Sequence, residues 1–154
     1  MMLAESIFVD VVKHAPLVSI DLVVLDDAGK VLVGQRVNEP AKGTWFVPGG
    51  RIAKGEDLDQ AFTRVATSEL GPGDWRRSRS RLLGAFTHVY PTNFASIPGV
   101  STHYVVLAHV LNIDHPLELP ADQHSEYRWV RRSDPAPDGG IHPYTAVYLD
   151  QLSA

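Results

Sequence analysis

The chain has 154 residues, of which 44% are hydrophobic and 21% charged, a composition that predicts one globular domain over residues 1–154 with a substantial core. It contains no cysteine, which excludes disulfides, thiol nucleophiles and thiolate-bound metals. Its formal net charge of −4 argues against a protein that coats nucleic acid.

The first residues show no targeting signal. Met1 to Lys13 contains scattered charges at Glu5, Asp10 and Lys13 and lacks the apolar run and cleavage site of a secretory signal. The apolar stretches of the chain are much shorter than the roughly 20 residues that a membrane-spanning helix needs. We therefore expect a cytoplasmic protein with neither a nucleic acid nor a membrane as its partner.

The first strands follow from apolar runs broken by turn residues. Leu17–Leu25 and Val31–Arg36 are rich in β-branched residues and flank a turn sequence at 26–30, which predicts a β-hairpin. Trp45–Val47 predicts a short strand that Pro48-Gly49-Gly50 ends, because proline lacks a backbone donor.

From Asp57 onward the apolar residues recur at helical spacing, and Gly71-Pro72 is a helix stop. One amphipathic helix is predicted between them. Further strands are predicted at Leu82–Tyr90, Ser101–Asn112 and Tyr127–Val130, and a closing helix after His142-Pro143. Together these elements indicate one mixed sheet with helices.

Two loops carry features of their own. The basic stretch from Arg76 to Arg81 is interpreted as a solvated loop, since isolated charge runs usually face water. The segment from Ala95 to Ser101 contains a Pro-Gly turn, and we expect it on the substrate side of the protein.

The segment from Gly49 to Gly71 carries the chemistry. A glycine-rich strand exit lets backbone carbonyls approach an ion, and a helix bearing Arg64 and Glu69 can project a carboxylate into the same space. Hard oxygen ligands favour Mg²⁺, with Mn²⁺ as a substitute. Magnesium usually keeps coordination positions for phosphate oxygens, so the predicted substrate is phosphorylated.

The spacing of Gly50, Glu56, Arg64, Glu69 and Gly71 resembles the Nudix box, the loop-helix-loop signature of hydrolases that act on nucleoside diphosphates linked to another group. This resemblance implies an α+β fold, an α/β/α sandwich with a mixed sheet between helices. The chain departs from the box at Val65, Ala66, Ser68 and Pro72, and Val65 and Ser68 replace the usual metal-binding glutamates.

The wider chain is similar to the GDP-mannose mannosyl hydrolase branch of that superfamily, which shows the same loss. The similarity is carried by Pro16–Ser19, Gly43–Arg51, Thr102–Leu107, Gln123-His124 and Tyr127–Trp129. In that branch the metal is held by a glycine carbonyl, a helical glutamate and a glutamine, which implies Gly49, Glu69 and Gln123 here. The branch also forms homodimers, so the resemblance implies one here.

The same resemblance implies a role for each remaining candidate. His124 is the general base, and Arg36, Arg51 and Tyr104 assist the departure of the leaving group. Among the substrate contacts, Asp21 binds the sugar hydroxyls, and Arg36 and Arg51 bind the phosphates. Tyr104 contacts the leaving group, and Phe8 stacks on guanine. His88 also contacts the substrate. Glu56 and Arg64 brace the box without touching substrate. Without the resemblance, His124 would be interpreted as a polar loop residue, the two arginines as surface ion-pair partners and Tyr104 as a core aromatic.

The implied reaction is Mg²⁺-dependent hydrolysis of GDP-mannose, or of GDP-glucose, to GDP and the free sugar by attack of water at sugar C1 with inversion. A second hypothesis is a conventional Nudix pyrophosphohydrolase that cleaves a P–O bond of a nucleotide sugar or related compound. A third is a non-catalytic module that binds nucleotide sugars. Val65 and Ser68 argue against the second hypothesis, and Gln123-His124 argues against the third.

Overall fold

The computed structural model describes residues 3–122 and 124–153. Its helices are α1 (Glu5–His14), α2 (Leu58–Leu70) and α3 (Pro143–Leu152), with a 3₁₀ turn at Arg77–Arg79. Its strands are β1 (Leu17–Leu25), β2 (Val31–Arg36), β3 (Trp45–Phe46), β4 (Gly49–Arg51), β5 (Arg81–Tyr90), β6 (Thr102–Asn112) and β7 (His124–Val130). Within those residues, no helix combines the length and the apolar character needed to cross a bilayer.

The described strands form one mixed sheet in the order β3-β2-β1-β6-β5, with β4 added to β1 and β7 added to β2. Strand β1 runs parallel to β6 from the pair Leu17↔Tyr104 to the pair Leu25↔Asn112. Strand β5 is antiparallel to β6, and β4 is antiparallel to β1. The sheet is therefore mixed, as the sequence predicts.

Helices cover both faces of the sheet. On one face Phe62 and Val65 of α2 pack in a cluster with Ile20 and Leu22 of β1. On the other face Tyr148 and Leu149 of α3 pack with alternate residues of the same sheet, Val23, Ala108 and Val110. Because β1 residues alternate between the two clusters, β1 is buried on both sides. The α/β/α arrangement and the α+β class are confirmed.

The ends of the two predicted helices follow the signals in the sequence. Helix α2 begins with a capping box in which Asp57 and Gln60 exchange side-chain and backbone hydrogen bonds, and it ends at Gly71, whose φ of +84° suits glycine. Helix α3 begins at Pro143, after His142, whose Nδ1 accepts a hydrogen bond from the Tyr144 amide. Both helices are confirmed within a residue of their predicted starts.

The predicted hairpin is wrong beyond its turn. Among the described residues, β1 and β2 pair at Leu25↔Val31 and then separate. Further along, β1 takes β4 and β6 as neighbours, whereas β2 takes β3 and β7. A strand as apolar as β1 is most stable in the centre of the sheet with both edges paired, and the short loop at 26–30 does not require the two strands to stay together.

Other boundaries also differ from expectation. The Gly49-Gly50 pair does not merely end a strand but itself forms β4, because it pairs with Ile20 and Asp21 of β1. Strand β7 begins at His124 instead of Tyr127. Helix α1 is not predicted by the sequence analysis, and its N-terminus lacks a side-chain cap that would have signalled a helix start.

The basic stretch is largely an exposed segment whose charges are paired. Arg77 forms an ion pair with Asp59, and Arg76 and Arg79 both contact Asp74. The interpretation as a solvated segment therefore holds as far as Ser80, since Arg81 already belongs to β5.

Candidate active site

A cavity of about 90 Å³ lies on the α3 side of the sheet, where β1 and β2 have separated. Its walls come from the ends of β2 and β3 and from parts of β1, β4, β5 and β6. Six residues that the sequence analysis names as site candidates line it: Asp21, Arg36, Gly49, Arg51, His88 and Tyr104. The fold thus brings together residues that are far apart in the sequence.

Asp21 is the acidic group of the cavity and is 8% exposed. Its Oδ2 accepts a hydrogen bond of 2.7 Å from the hydroxyl of Tyr148 on α3. Burial raises the pKa of Asp21 to about 7, against the opposing effects of that hydrogen bond and of the Arg36 charge. The partner that a buried carboxylate requires is therefore Tyr148, which sequence reasoning missed.

Arg36 and Arg51 are the cations of the cavity. Arg36 is held by a hydrogen bond of 2.9 Å from its Nε to the carbonyl of Pro40. The Arg51 guanidinium lies 4.4 Å from the centre of the Phe8 ring. Within residues 3–122 and 124–153 neither guanidinium makes an ion pair. Both are thus suited to bind the oxygens of an anionic ligand such as a diphosphate.

His88 and Tyr104 both enter the cavity as neutral groups. His88 is 4% exposed, and burial lowers its pKa to about 4, so its imidazole is uncharged at pH 7. Its ring stacks on Tyr144 with 4.1 Å between centroids and 2° between planes. Burial raises the pKa of the Tyr104 phenol, which therefore keeps its proton and can donate a hydrogen bond.

Glu69, in the last turn of α2, is the carboxylate predicted to bind metal. It is buried, and its Oε2 has no hydrogen-bond partner among the described residues. Burial raises the pKa of Glu69 to about 7, while the backbone amide of Gly49 and the charge of Arg36 act in the opposite direction. An unpartnered buried carboxylate oxygen beside a glycine strand fits a hard divalent cation such as Mg²⁺.

The rest of the predicted metal set lies outside what the structure describes, since Gln123 is not among the described residues. In the described part of the chain, no cluster of three or more His, Cys, Asp or Glu is arranged to hold a metal ion. A site with one carboxylate, one carbonyl and one amide is consistent with that finding, because two of its three ligands are not of those types.

His124, the predicted general base, opens β7 and is paired in register with Arg36. It is 3% exposed, and its Nδ1 has no hydrogen-bond partner in the described residues. Burial, followed by the charge of Arg36, lowers the pKa of His124 to about 4. The imidazole is thus neutral, as the hypothesis requires, but it is not among the described residues that line the cavity.

Glu56 and Arg64 join the two ends of the box. The Arg64 guanidinium contacts both Glu56 oxygens, at 2.7 and 2.8 Å, and its Nη2 also donates to the carbonyl of Arg51 at 2.7 Å. Glu56 in turn accepts a hydrogen bond from the amide of Ala53. The pair therefore anchors the backbone next to a residue of the cavity wall while lying outside that wall itself.

Phe8, the predicted guanine contact, lies on α1 beside Arg51. Its ring stacks on Phe94 with 4.7 Å between centroids and 26° between planes. Phe94 belongs to the β5–β6 loop, in which the buried Asn93 side chain makes four hydrogen bonds to the backbone. Phe94 lies just before the segment 95–101 that is expected on the substrate side; it supports Arg51 through the Phe8 ring, and sequence reasoning missed it.

Comparison with known proteins gives one family. The family model described as the NUDIX domain matches residues 15–150. A curated relative, the low-salt glycan biosynthesis protein Agl8 of Haloferax volcanii, is 44% identical over 144 residues, which cover 92% of this chain and 85% of that protein.

Solved structures show the same fold. A MutT NUDIX hydrolase from Burkholderia pseudomallei superimposes with a TM-score of 0.68 at 24% identity, over 90% of this chain and 98% of that one. The NUDIX domain of Shewanella oneidensis NrtR, in complex with ADP ribose, gives 0.63 at 19% identity, over 98% and 97%. The dihydroneopterin triphosphate pyrophosphohydrolase of E. coli gives 0.61 at 20% identity, over 89% and 96%.

Proposed function

The chain belongs to the NUDIX domain family of hydrolases, and from that membership we propose that it hydrolyses GDP-mannose, or the closely related GDP-glucose, to GDP and the free sugar with Mg²⁺. Water attacks C1 of the sugar with inversion, and GDP leaves intact. The observation that carries the proposal is the meeting of Asp21, Arg36 and Arg51 in one cavity. A carboxylate there suits sugar hydroxyls, and two guanidinium groups suit a diphosphate.

The curated relative supports a sugar-bearing substrate. Its name refers to glycan biosynthesis, and 92% of this chain aligns with it at 44% identity. A protein of such a process fits a hydrolase that acts on an activated sugar. The name specifies neither the base nor the sugar, so both stay part of the proposal.

The altered helix supports attack at carbon. Val65, where the family usually has a metal-binding glutamate, is 1% exposed and lies against Gly50 in the core. Ser68, the other replacement, is on the exposed side of α2. The helix therefore contributes Glu69 as the metal-binding carboxylate of the box, instead of the fuller set used for conventional attack at phosphorus.

The mechanism assigns each group a defined task. Mg²⁺, held by Glu69, the Gly49 carbonyl and Gln123, would offset the negative charge of the diphosphate when bound. Arg36 and Arg51 bind the phosphate oxygens and stabilise the charge that develops as the C1–O bond breaks. Tyr104 donates its phenol proton in a hydrogen bond to the leaving group.

Asp21 accepts hydrogen bonds from the sugar hydroxyls and so orients C1. The neutral imidazole of His124 takes the proton of the attacking water. No acid is needed on the other side, because a diphosphate is already a good leaving group. Phe8 lies next to Arg51 at the edge of the site, where we expect its ring to contact the guanine.

Two other expectations stay predictions. The resemblance implies a homodimer, which the molecular mass of the purified protein in solution would test. The cytoplasmic location also stays a prediction, which localisation in cells would test.

Product analysis in ¹⁸O-labelled water tests the proposed reaction. The purified protein is incubated with GDP-mannose and Mg²⁺, the products are separated, and mass spectrometry gives the ¹⁸O content of each product. Label in mannose with unlabelled GDP is the expected result. Label in GMP or mannose phosphate would show conventional attack at phosphorus, and binding of GDP-mannose without any product would favour a non-catalytic module.

A further inference from the structure

Tyr148 occupies an unusual position behind the cavity. It lies on α3, is fully buried, and its hydroxyl contacts two different residues of the cavity wall. The hydroxyl donates to Asp21 Oδ2 at 2.7 Å and stands 3.4 Å from His88 Nε2. The side chain of Tyr148 thus connects the carboxyl group of Asp21 with the imidazole of His88.

The number of protons available to the Tyr148 hydroxyl determines which ring nitrogen of His88 carries a proton. A tyrosine hydroxyl carries one proton, and when Asp21 is ionised the hydroxyl uses that proton in its hydrogen bond to the carboxylate. The longer contact to His88 is then a hydrogen bond only if Nε2 carries a proton and donates it to the hydroxyl oxygen. Since the imidazole is neutral at pH 7, its other nitrogen, Nδ1, is an acceptor.

The imidazole ring is held in the orientation that this contact requires. Tyr144 lies parallel to it at 4.1 Å, and the Tyr144 hydroxyl is itself fixed by the backbone of β5, donating to the Val89 carbonyl at 2.8 Å and accepting from the Val89 amide at 3.0 Å. The stacked aromatic face of Tyr144 limits rotation of the imidazole, and a phenylalanine at this position would keep that face.

The carboxylate of Asp21 is constrained on its other side as well. A β-carbon on Gly49 would lie 2.5 Å from Asp21 Oδ1, so this oxygen rests against the backbone of β4. Tyr148 holds Oδ2 from behind, and the absence of a side chain at Gly49 leaves room for Oδ1. Rotation of the carboxylate would break the first contact.

We propose that Tyr148 is a positioning residue that fixes the orientation of Asp21 and the Nε2–H tautomer of His88, so that the sugar end of the cavity presents two acceptors, Asp21 Oδ1 and His88 Nδ1. With Asp21 ionised, these two acceptors select a ligand group with two hydroxyl donors. This assignment of the sugar end rests on the proposed function. The tautomer of His88 does not, because it follows from contacts within the protein.

The experiment compares the Tyr148→Phe variant with the wild type in two measurements. The ¹⁵N chemical shifts of the His88 ring give its tautomer in the protein without ligand. Calorimetry gives the affinities for GDP and for GDP-mannose, each with Mg²⁺, with His124→Asn added to every protein so that GDP-mannose is not consumed. Tyr144→Phe is the matched control, since it removes a hydroxyl from the same helix that bonds to the backbone instead of to the imidazole. Thermal unfolding establishes that both variants fold.

We expect the Nε2–H form of His88 in the wild type and in Tyr144→Phe, and a mixture of tautomers in Tyr148→Phe. We also expect Tyr148→Phe to weaken GDP-mannose binding by about tenfold, the usual effect of losing a hydrogen bond to a charged group, with GDP binding unchanged.

Three results would contradict the proposal in separable ways. An Nδ1–H tautomer in the wild type would overturn the hydrogen-bond chain. Equal losses of GDP and GDP-mannose affinity in Tyr148→Phe would overturn the link to the sugar end. Failure of His124→Asn, without the Tyr148 change, to bind GDP-mannose would overturn that link together with the proposed function, and the ¹⁵N shifts would still decide whether Tyr148 sets the tautomer. If Tyr148→Phe does not fold, an Nδ1–H form of His88 in the wild type would still overturn the hydrogen-bond chain.

Discussion

Gly34 of β2 lies directly against the imidazole of His124 on the neighbouring strand. A β-carbon on Gly34 would stand 2.5 Å from His124 Cγ and 2.6 Å from its Nδ1, closer than such atoms approach in proteins. The register between β2 and β7 shifts over this same stretch, between Gly34 and Arg36. The position of the proposed base therefore depends on the absence of a side chain on the adjacent strand.

Replacement of Gly34 should move the imidazole of His124 out of its position while leaving the histidine itself in the sequence. In Gly34→Ala the new methyl group pushes the ring of His124 away, and we expect kcat to fall by about 100-fold or more, within the range for loss of a general base. Steady-state kinetics would measure this against His124→Asn. Gly84→Ala is the control, since its β-carbon would come no closer than 3.3 Å to another residue. Full activity of Gly34→Ala would argue against His124 as the base.

Gly49→Ala should damage both the acidic group and the metal site. The added carbon would lie 2.5 Å from Asp21 Oδ1 and 2.6 Å from the Ile20 carbonyl, so strand β4 must move away from β1. We expect the free energy of unfolding to fall by about 1–3 kcal/mol, the usual cost of overpacking, and kcat/KM to fall by about 100-fold. Urea unfolding and kinetics on one preparation measure both; wild-type values in each would contradict the close packing described here.

The Glu56–Arg64 ion pair should make stability depend on acid pH. The Arg64 contact holds the pKa of Glu56 near 2, below its ordinary value of 4.5. The pair therefore stabilises the folded state above about pH 4.5, and this contribution is lost as the pH falls toward 2. Urea unfolding should show Glu56→Gln less stable than the wild type at pH 7, with the difference shrinking below pH 4.

A matched control exists for that measurement. Glu126 contacts Arg128 at 3.8 Å, and both side chains are more than half exposed. Exposed pairs of this kind contribute little, so Glu126→Gln should resemble the wild type at both pH values. If the two glutamate variants behaved alike, the Glu56 pair would have no special role in bracing the box.

Arg51 and Phe8 should affect turnover in a graded way. Removal of a charge-stabilising group such as Arg51 should lower kcat by about 100-fold. Phe8→Ala removes the ring beneath the guanidinium, and a half-exposed cation–π contact is worth about 0.5–1 kcal/mol, which corresponds to a two- to fivefold loss. Ile7→Ala, an exposed change on the same helix, is the control. A loss in Phe8→Ala as large as in Arg51→Ala would contradict this graded order.

Metal binding should depend strongly on nucleotide. With Glu69 as the single charged ligand of the proposed set, Mn²⁺ binding to the protein alone should be weak, and GDP should strengthen it by about tenfold or more. Electron paramagnetic resonance of free Mn²⁺ measures both affinities. Glu69→Gln should abolish the effect and Glu118→Gln, an exposed change, should preserve it. Equal Mn²⁺ affinity with and without GDP would contradict this charge argument.

Much of the fold follows from local signals in the sequence. Helix α2 has its capping box at Asp57 and its glycine stop at Gly71, and α3 has proline in its first turn, so both are predictable from nearby residues. The pairing of β1 is not, because the choice of β6 as its long partner depends on contacts about 87 residues away in the chain. The apolar pattern identifies β1 as a strand but not its neighbours.

The candidate site divides in the same way. Asp21 attracts attention in the sequence because a charge interrupts an apolar strand, but its partner Tyr148 is 127 residues away and looks like an ordinary aromatic of an amphipathic helix. Nothing in the sequence around Phe94 indicates a role near the site either. Most of the other candidates were identified through a resemblance to a known motif, since no periodicity distinguishes His88 or Tyr104 from core residues of their strands.

Helix α1 precedes the region matched by the family model, yet its Phe8 ring supports the guanidinium of Arg51. Changes within these ten residues can therefore alter how firmly one cation of the cavity is held, while every strand that builds the cavity stays as it is. In protein engineering this separation offers a practical route: libraries confined to α1 that keep the buried Val12 would test how the hold on Arg51 affects ligand binding.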